Sequence, residues 1–171
     1  MILYRHPTPA AEPGLCYGRL DIGLAPSARA EIAAARRAAP PLRLVMASPA
    51  FRARALAEAL AEASGATLRF DERLLELDFG AWEGKRWFAI PRRESDPWAE
   101  DPRRRAPPGG ETFAALEARV LAAAAEAGPE AALVTHAGPI RALLIARAGL
   151  SFAEAFARKI PFATALEAPD A

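Results

Sequence analysis

The 171-residue chain has one cysteine, two histidines and two lysines, and no long apolar run. A lone Cys16 excludes an intramolecular disulfide and fits a reducing compartment. No apolar stretch approaches the ~20 residues that span a bilayer, so no membrane partner is expected. Residues that read as strand follow Met1 directly, with no charged-then-apolar leader, and a cytoplasmic location is expected. A net charge of +1 gives no global field toward nucleic acid or anionic lipid. All but two of the 22 basic residues are arginine, a side chain suited to bidentate binding of phosphate or carboxylate. Most of these arginines fit a bias toward Arg and Ala in the whole chain. The Arg92-Arg93 and Arg103-Arg104-Arg105 runs are interrupted by Glu94, Asp96, Glu100 and Asp101. That mixture reads as a solvated loop, and no nucleic-acid partner is expected.

What is present is a 52% apolar composition, enough for a sizeable core, in a length that suits one domain over residues 1–171. Residues 1–4, 42–47, 67–70 and 131–135 read as short strands, and 164–167 as a closing strand. Helices are expected at 27–38, 49–64, 111–127 and 139–148, with Ser48 as an N-cap and Gly65 as a stop. Ser151 caps a further short helix. Residues 91–110, rich in Pro and Gly, read as a long loop, in part helical, of the kind that forms a lid. Strands alternating with helices define an α/β class: a mainly parallel central sheet covered by helices on both faces, a three-layer sandwich.

The scarce histidines fall where such a sheet binds ligands, at the carboxyl ends of strands. His6 follows the first strand in Arg5-His6-Pro7, and His136 ends the fourth in Thr135-His136-Ala137-Gly138. Neutral imidazole is a nucleophile near pH 7, and a protonated one donates to phosphoryl oxygens. Ser48 through Arg52 leads a strand into a helix N-terminus, a ready anion site, with Arg52 in the first turn. Arg54 lies about 200° around that helix at ~3.6 residues per turn. Ala137 opens a second helix after His136, where free backbone N–H groups face an anion. Glu76, among apolar neighbours in Leu75-Glu76-Leu77, is a candidate proton donor, with Asp78 and Glu83 as competitors. Any one of these segments is compatible with a structural role. Their convergence points to phosphoryl transfer with neither a metal nor a cofactor.

The ordered set resembles the histidine phosphatase, or phosphoglycerate mutase-like, superfamily over almost the whole chain. Arg5-His6-Pro7 corresponds to its Arg-His-Gly signature. Ser48–Arg52 corresponds to Ser-x-x-x-Arg, and the segment from Glu76 through Phe79-Gly80-Ala81-Trp82-Glu83-Gly84 to its glutamate element. Gly109-Gly110-Glu111-Thr112 and Thr135-His136-Ala137-Gly138 complete it. The resemblance implies a phosphoglycerate mutase-like fold in which His6 is phosphorylated. It further implies that Arg5, Arg52 and His136 clamp the phosphoryl group, with Ala137 beside them, and that Glu76 moves the protons. Residues 14–21 look like those of α-ribazole phosphatase-like members, which implies Tyr17 and Arg19 near the leaving group. Trp87, Phe88 and Trp98 are candidate lid residues.

Two departures bear on phosphate binding. Pro7 replaces the family's glycine and removes a backbone donor, although its carbonyl is free to orient His6. Thr8 and Pro9 stand where the family commonly has Glu and Thr, and Glu12, in place of an asparagine, would repel phosphate if it faced the site. The expectation is a metal-independent phosphomonoesterase acting on a small phosphorylated metabolite, α-ribazole 5′-phosphate among the candidates, as a monomer or homodimer. A mutase-type phosphotransferase and a catalytically silent binding relative are the alternatives.

Overall fold

The computed structural model describes residues 1–167. Five strands, β1 (Ile2–Arg5), β2 (Leu44–Ala47), β3 (Thr67–Phe70), β4 (Ala132–Thr135) and β5 (Ala165–Glu167), form one sheet in the order β3-β2-β4-β1-β5. The β3–β2, β2–β4 and β4–β1 pairings are parallel; only β5 runs antiparallel, at the edge beside β1. The strands are bridged by α1 (Ala28–Ala38), α2 (Phe51–Ser64), α3 (Arg92–Glu100), α4 (Phe113–Ala127), α5 (Ala137–Ala148) and α6 (Phe152–Ala157).

Side-chain alternation along the central strands sends residues to opposite faces. Leu3, Met46 and Leu133 pack with Leu116 and Val120 of α4 and Ile140 and Leu143 of α5. Tyr4, Val45, Ala47, Ala132 and Val134 pack on the other face with Leu56 and Leu60 of α2. The fold class is thus the expected one: an α/β layer structure with a mostly parallel sheet buried on both sides.

Most element ends lie within two residues of the sequence reading. The second strand begins at Leu44 rather than 42, and α4 begins at Phe113, capped by the Thr112 hydroxyl, which accepts from Ala115 N–H at 3.1 Å. Helix α2 starts at Phe51, and Ser48 does not cap it: the residue before the helix is Ala50, without a side-chain cap. Helix α5 begins at Ala137, immediately after His136. Within 91–110, α3 forms despite an internal Pro97, which removes one helix donor. Trp98 anchors it by packing on Trp82 and Phe79.

The loop that follows β3 is held by a layer of hydrogen bonds from α4. Arg119 donates to the carbonyls of Arg73 (2.6 Å), Leu75 (2.7 Å) and Glu76 (3.0 Å), and pairs with Glu111. Glu111 in turn accepts from Asp78 N–H at 3.0 Å. Gly110 permits this closeness, because a Cβ there would stand 2.3 Å from the Asp78 carbonyl oxygen. One guanidinium therefore satisfies three loop carbonyls and shares the last of them, that of Glu76, with Arg19. Replacing Arg119 with Leu strips the Arg73 and Leu75 carbonyls of this donor and is expected to destabilise the fold by about 2 kcal/mol or more. Urea unfolding of the variant checks this, and an unchanged midpoint would show that the brace contributes nothing.

Candidate active site

Because β4 lies between β1 and β2, the residues that follow these three strands become neighbours. His6 N–H donates to Thr135 O (2.8 Å) and Ser48 N–H to Val134 O (2.9 Å), which carries the sheet register just past the strand ends. The His6 and His136 rings are 5.1 Å apart between centroids. Both are buried, His6 to 1% exposure and His136 to 0%.

The His6 Nδ1 lies 2.7 Å from the Pro7 carbonyl oxygen. A carbonyl only accepts, so the ring proton sits on Nδ1 and the Nε2 lone pair is free. His136 Nε2 lies 2.7 Å from the Ser48 hydroxyl, whose oxygen also accepts from Ala50 N–H at 3.3 Å. The Ser48 oxygen keeps a second lone pair, so this contact forms with either tautomer of His136; where Ser48 donates to Nε2, Nδ1–H is the donor. Burial lowers the basicity of both rings. It pushes His6 down to about 3, with the Arg52 and Arg5 charges adding to the effect. His136 is held well below the ordinary histidine range by burial and by His6, Arg52 and Arg5. Both imidazoles are neutral at pH 7.

Two guanidinium groups border the pair. Arg52 is wholly buried in the first turn of α2 and donates to Gly18 O (2.6 Å) and Leu20 O (3.0 Å). Arg5 donates to Ile160 O at 2.9 Å and lies 3.9 Å over the Phe162 ring. Burial weakens the basicity of each, and the Glu76 carboxylate and Tyr17 hydroxyl beside them restore part of it. Among the described residues, the buried side-chain polar atoms left without a partner are Arg5 Nε, Arg52 Nε, His136 Nδ1 and Trp98 Nε1. Three of these four nitrogens belong to this one cluster.

Glu76 reaches the cluster from the loop after β3. Its Oε1 accepts from Leu77 N–H (2.9 Å) and Gly138 N–H (3.0 Å), and its Oε2 is 3.2 Å from Gly138 N. The competitors are engaged elsewhere. Asp78 accepts from Gly80 N–H at 2.8 Å, and Glu83 accepts from the N–H groups of Arg19, Leu20 and Phe79. Of the helix N–H groups expected to face an anion, Gly138's is taken by Glu76, which leaves that of Ala137 at the start of α5.

The other sequence candidates fall unevenly. Tyr17 is in the site, its ring 5.4 Å from the Arg52 guanidinium. Arg19 is turned toward the Glu76 loop, donating to Glu76 O at 2.9 Å and pairing with Glu111 at 3.5 Å. Arg54 is exposed and donates to Pro49 O, away from the cluster. Glu12 is paired with Arg86 at the surface and does not face the histidines. Thr8 binds Glu31 through both its N–H (2.8 Å) and its hydroxyl (2.7 Å). Trp87 and Trp98 stack 5.9 Å apart, whereas Phe88 is 84% exposed and covers nothing. Sequence reasoning missed Ser48 as the partner of His136, Phe162 beneath Arg5, and Arg141 of α5. Arg141 lies within electrostatic reach of Glu76 and Arg5. Among the described residues, no group of three His, Cys, Asp or Glu side chains is arranged to hold a metal ion, and no helix is long and apolar enough to cross a membrane.

Comparison with known proteins accords with this geometry. The family model described as histidine phosphatase superfamily (branch 1) matches residues 1–167, and the chain belongs to that family. No curated protein matches the chain. Among solved structures, TTHB049 from Thermus thermophilus is 28% identical with a TM-score of 0.74, covering 96% of this chain and 89% of that one. The mycobacterial glucosyl-3-phosphoglycerate phosphatase is 29% identical with a TM-score of 0.74, covering 92% and 82%. The α-ribazole phosphatase from Shigella flexneri superposes with a TM-score of 0.83 over 96% and 87%, at 20% identity, a likeness of fold.

Packing and burial at the site generate two predictions. A Cβ on Gly138 would stand 2.2 Å from Glu76 Oε1. The Gly138→Ala variant is expected to fold while displacing that carboxylate, with turnover down by about 10²-fold; wild-type kcat would show that Glu76's position is immaterial. The second concerns pH. An unfolded histidine titrates near ~6.5, whereas folded His6 does so at about 3. The unfolded chain therefore binds more protons between these values. Stability present above ~6.5 is lost as pH falls toward the folded value. The Tm is expected to drop between neutral pH and pH ~4.5, and less steeply in His6→Asn; parallel slopes would contradict this burial effect.

Proposed function

We propose that the chain is a phosphomonoesterase that works through a phosphohistidine at His6, requires no metal and acts on a small phosphorylated metabolite. One observation carries the proposal: three unpartnered buried nitrogens, Arg5 Nε, Arg52 Nε and His136 Nδ1, lie about an imidazole whose Nε2 is free. Leaving such groups unpaired costs stability in the empty fold. A phosphoryl group supplies the missing acceptors and opposite charge.

His6 Nε2 attacks phosphorus as the bond to the ester oxygen breaks. Arg5, Arg52 and His136, with the Ala137 N–H, hold the phosphoryl oxygens as charge moves onto them. Glu76 gives a proton to the departing alkoxide, and Oε2, the oxygen with fewer backbone donors, is the one that carries it. Glu76 then takes a proton from water, whose oxygen attacks phosphorus and displaces His6, releasing orthophosphate. The family and its phosphatase neighbours support hydrolysis as the reaction class. α-Ribazole 5′-phosphate and glucosyl-3-phosphoglycerate are the candidate esters those relatives suggest.

Phosphate release is measured from p-nitrophenyl phosphate and both candidate esters, without added metal, for wild type and His6→Ala. The expected result is release that chelators do not affect and that falls by about 10³-fold or more in the variant. Activity retained by a folded His6→Ala protein would remove the nucleophile. Isomerisation of a phosphoglycerate without net phosphate release would favour the mutase alternative.

A further inference from the structure

Beside the phosphate cluster lies a cleft of roughly 80 Å³, bordered by Glu76 and Gly138 on one side and by Phe79, Trp98, Phe113, Phe156 and Arg141 on the other. Its position matters chemically. A general acid must come within hydrogen-bond reach of the oxygen it protonates. Under the reading of Glu76 as that acid, the departing alcohol lies on Glu76's side of phosphorus, where this cleft opens.

The lining is mostly apolar, with four aromatic side chains beside Leu77 and Pro102. Phe113 and Phe156 meet edge to face at 5.4 Å, and Phe79 meets Trp98 at 6.0 Å. One cation interrupts the apolar surface. Arg141 is half-buried, and its guanidinium lies 5.0 Å over the Phe156 ring. Its Nε donates to Ala155 O at 3.2 Å, and among the described residues its two terminal nitrogens donate to no acceptor. A cation held against aromatic walls, with unfilled donors and a restricted volume, suits a compact ring bearing an anion rather than a polyhydroxylated sugar.

We infer that the alcohol released by this enzyme has a compact aromatic body seated in the Trp98–Phe113–Phe156 cleft and a carboxylate bound by Arg141. This rests on the phosphatase reading, since it assigns the leaving-group side of the same site.

The test compares 3- and 4-carboxyphenyl phosphate with their uncharged, nearly isosteric carbamoyl counterparts, with glycerol 2-phosphate as a hydrophilic comparison. Wild-type kcat/KM is expected to favour a carboxylated ester over its amide by tenfold or more, and glycerol 2-phosphate to be the poorest substrate. In Arg141→Gln the carboxylate-to-amide ratio collapses toward one. A ratio near one in the wild type overturns the proposal while leaving the phosphatase reading intact, and so does a high ratio that survives Arg141→Gln. Calorimetric titration with the free alcohols, 3- and 4-hydroxybenzoate against the hydroxybenzamides, reads the subsite without any turnover. If no ester is hydrolysed yet a hydroxybenzoate binds in preference to its amide and Arg141→Gln abolishes the preference, the phosphatase reading fails and the subsite stands. If neither hydroxybenzoate binds better than its amide and the kinetic ratio is also absent, the subsite falls.

Discussion

The architecture at the carboxyl edge of the sheet is governed by one deficit: buried donors outnumber the acceptors offered to them. Arg52 is completely enclosed, yet only two carbonyls, Gly18 and Leu20, receive its protons among the described residues. Arg5 has one such carbonyl, at Ile160. Enclosing the Arg52 guanidinium, the Nε of half-buried Arg5 and two imidazoles without filling their valence opposes folding. The surrounding layers compensate through apolar burial on both sheet faces, and the neutral state of both histidines limits the local accumulation of positive charge. The same electrostatics that depress His6 keep its lone pair available. A positive environment that attracts an anionic ester thus also keeps the proposed nucleophile unprotonated.

The acid–base side depends on a different device. Glu76 stands on an irregular loop, and a loop carbonyl without a partner drifts toward water. Arg119 prevents this by taking three acceptors of the 73–76 segment, while Glu111 holds Arg119 and the Asp78 N–H together. Gly138 completes the placement from the opposite side through its small size and its N–H. The carboxylate is therefore fixed by α4, the 107–111 turn and the first turn of α5, whose N-cap is His136. The start of α5 thus ties the position of Glu76 to that of the second histidine.

What the chain disclosed before its structure was known follows from which signals are local. His6 and His136 were legible because scarce residues ending apolar runs are locally visible, and a parallel sheet aligns such ends. Arg52 was legible from its place in the first helical turn, which also put Arg54 outside. Ser48 was misread because a serine before Pro and a helix is the usual pattern of an N-cap. Its true partner is 88 positions away and becomes adjacent only through the insertion of β4 beside β2. Arg119 carries no sequence signal, since its acceptors are backbone carbonyls of a distant loop. A helical part of 91–110 was expected, but its bounds were not legible through Pro97 and mixed charges. Its cohesion comes from Trp98 against Trp82 and Phe79, a packing fact that periodicity does not report.

Pro7 shows how a departure from the family pattern is absorbed. Proline removes a donor that glycine would offer to phosphate, and Thr8, next in line, is tied to Glu31 through both its polar groups. The β1 loop therefore contributes no backbone donor at these two positions. It contributes orientation instead: the Pro7 carbonyl, in a ring-restricted backbone, fixes the tautomer of His6. On the far side the Ser48 hydroxyl holds His136 through Nε2 and leaves Nδ1 without a partner among the described residues. The two imidazoles are thus anchored through opposite ring nitrogens, His6 by a carbonyl at Nδ1 and His136 by a hydroxyl at Nε2. In the proposed reaction that asymmetry gives the nucleophile a carbonyl that fixes its free nitrogen, and gives its neighbour a hydroxyl able to donate or accept.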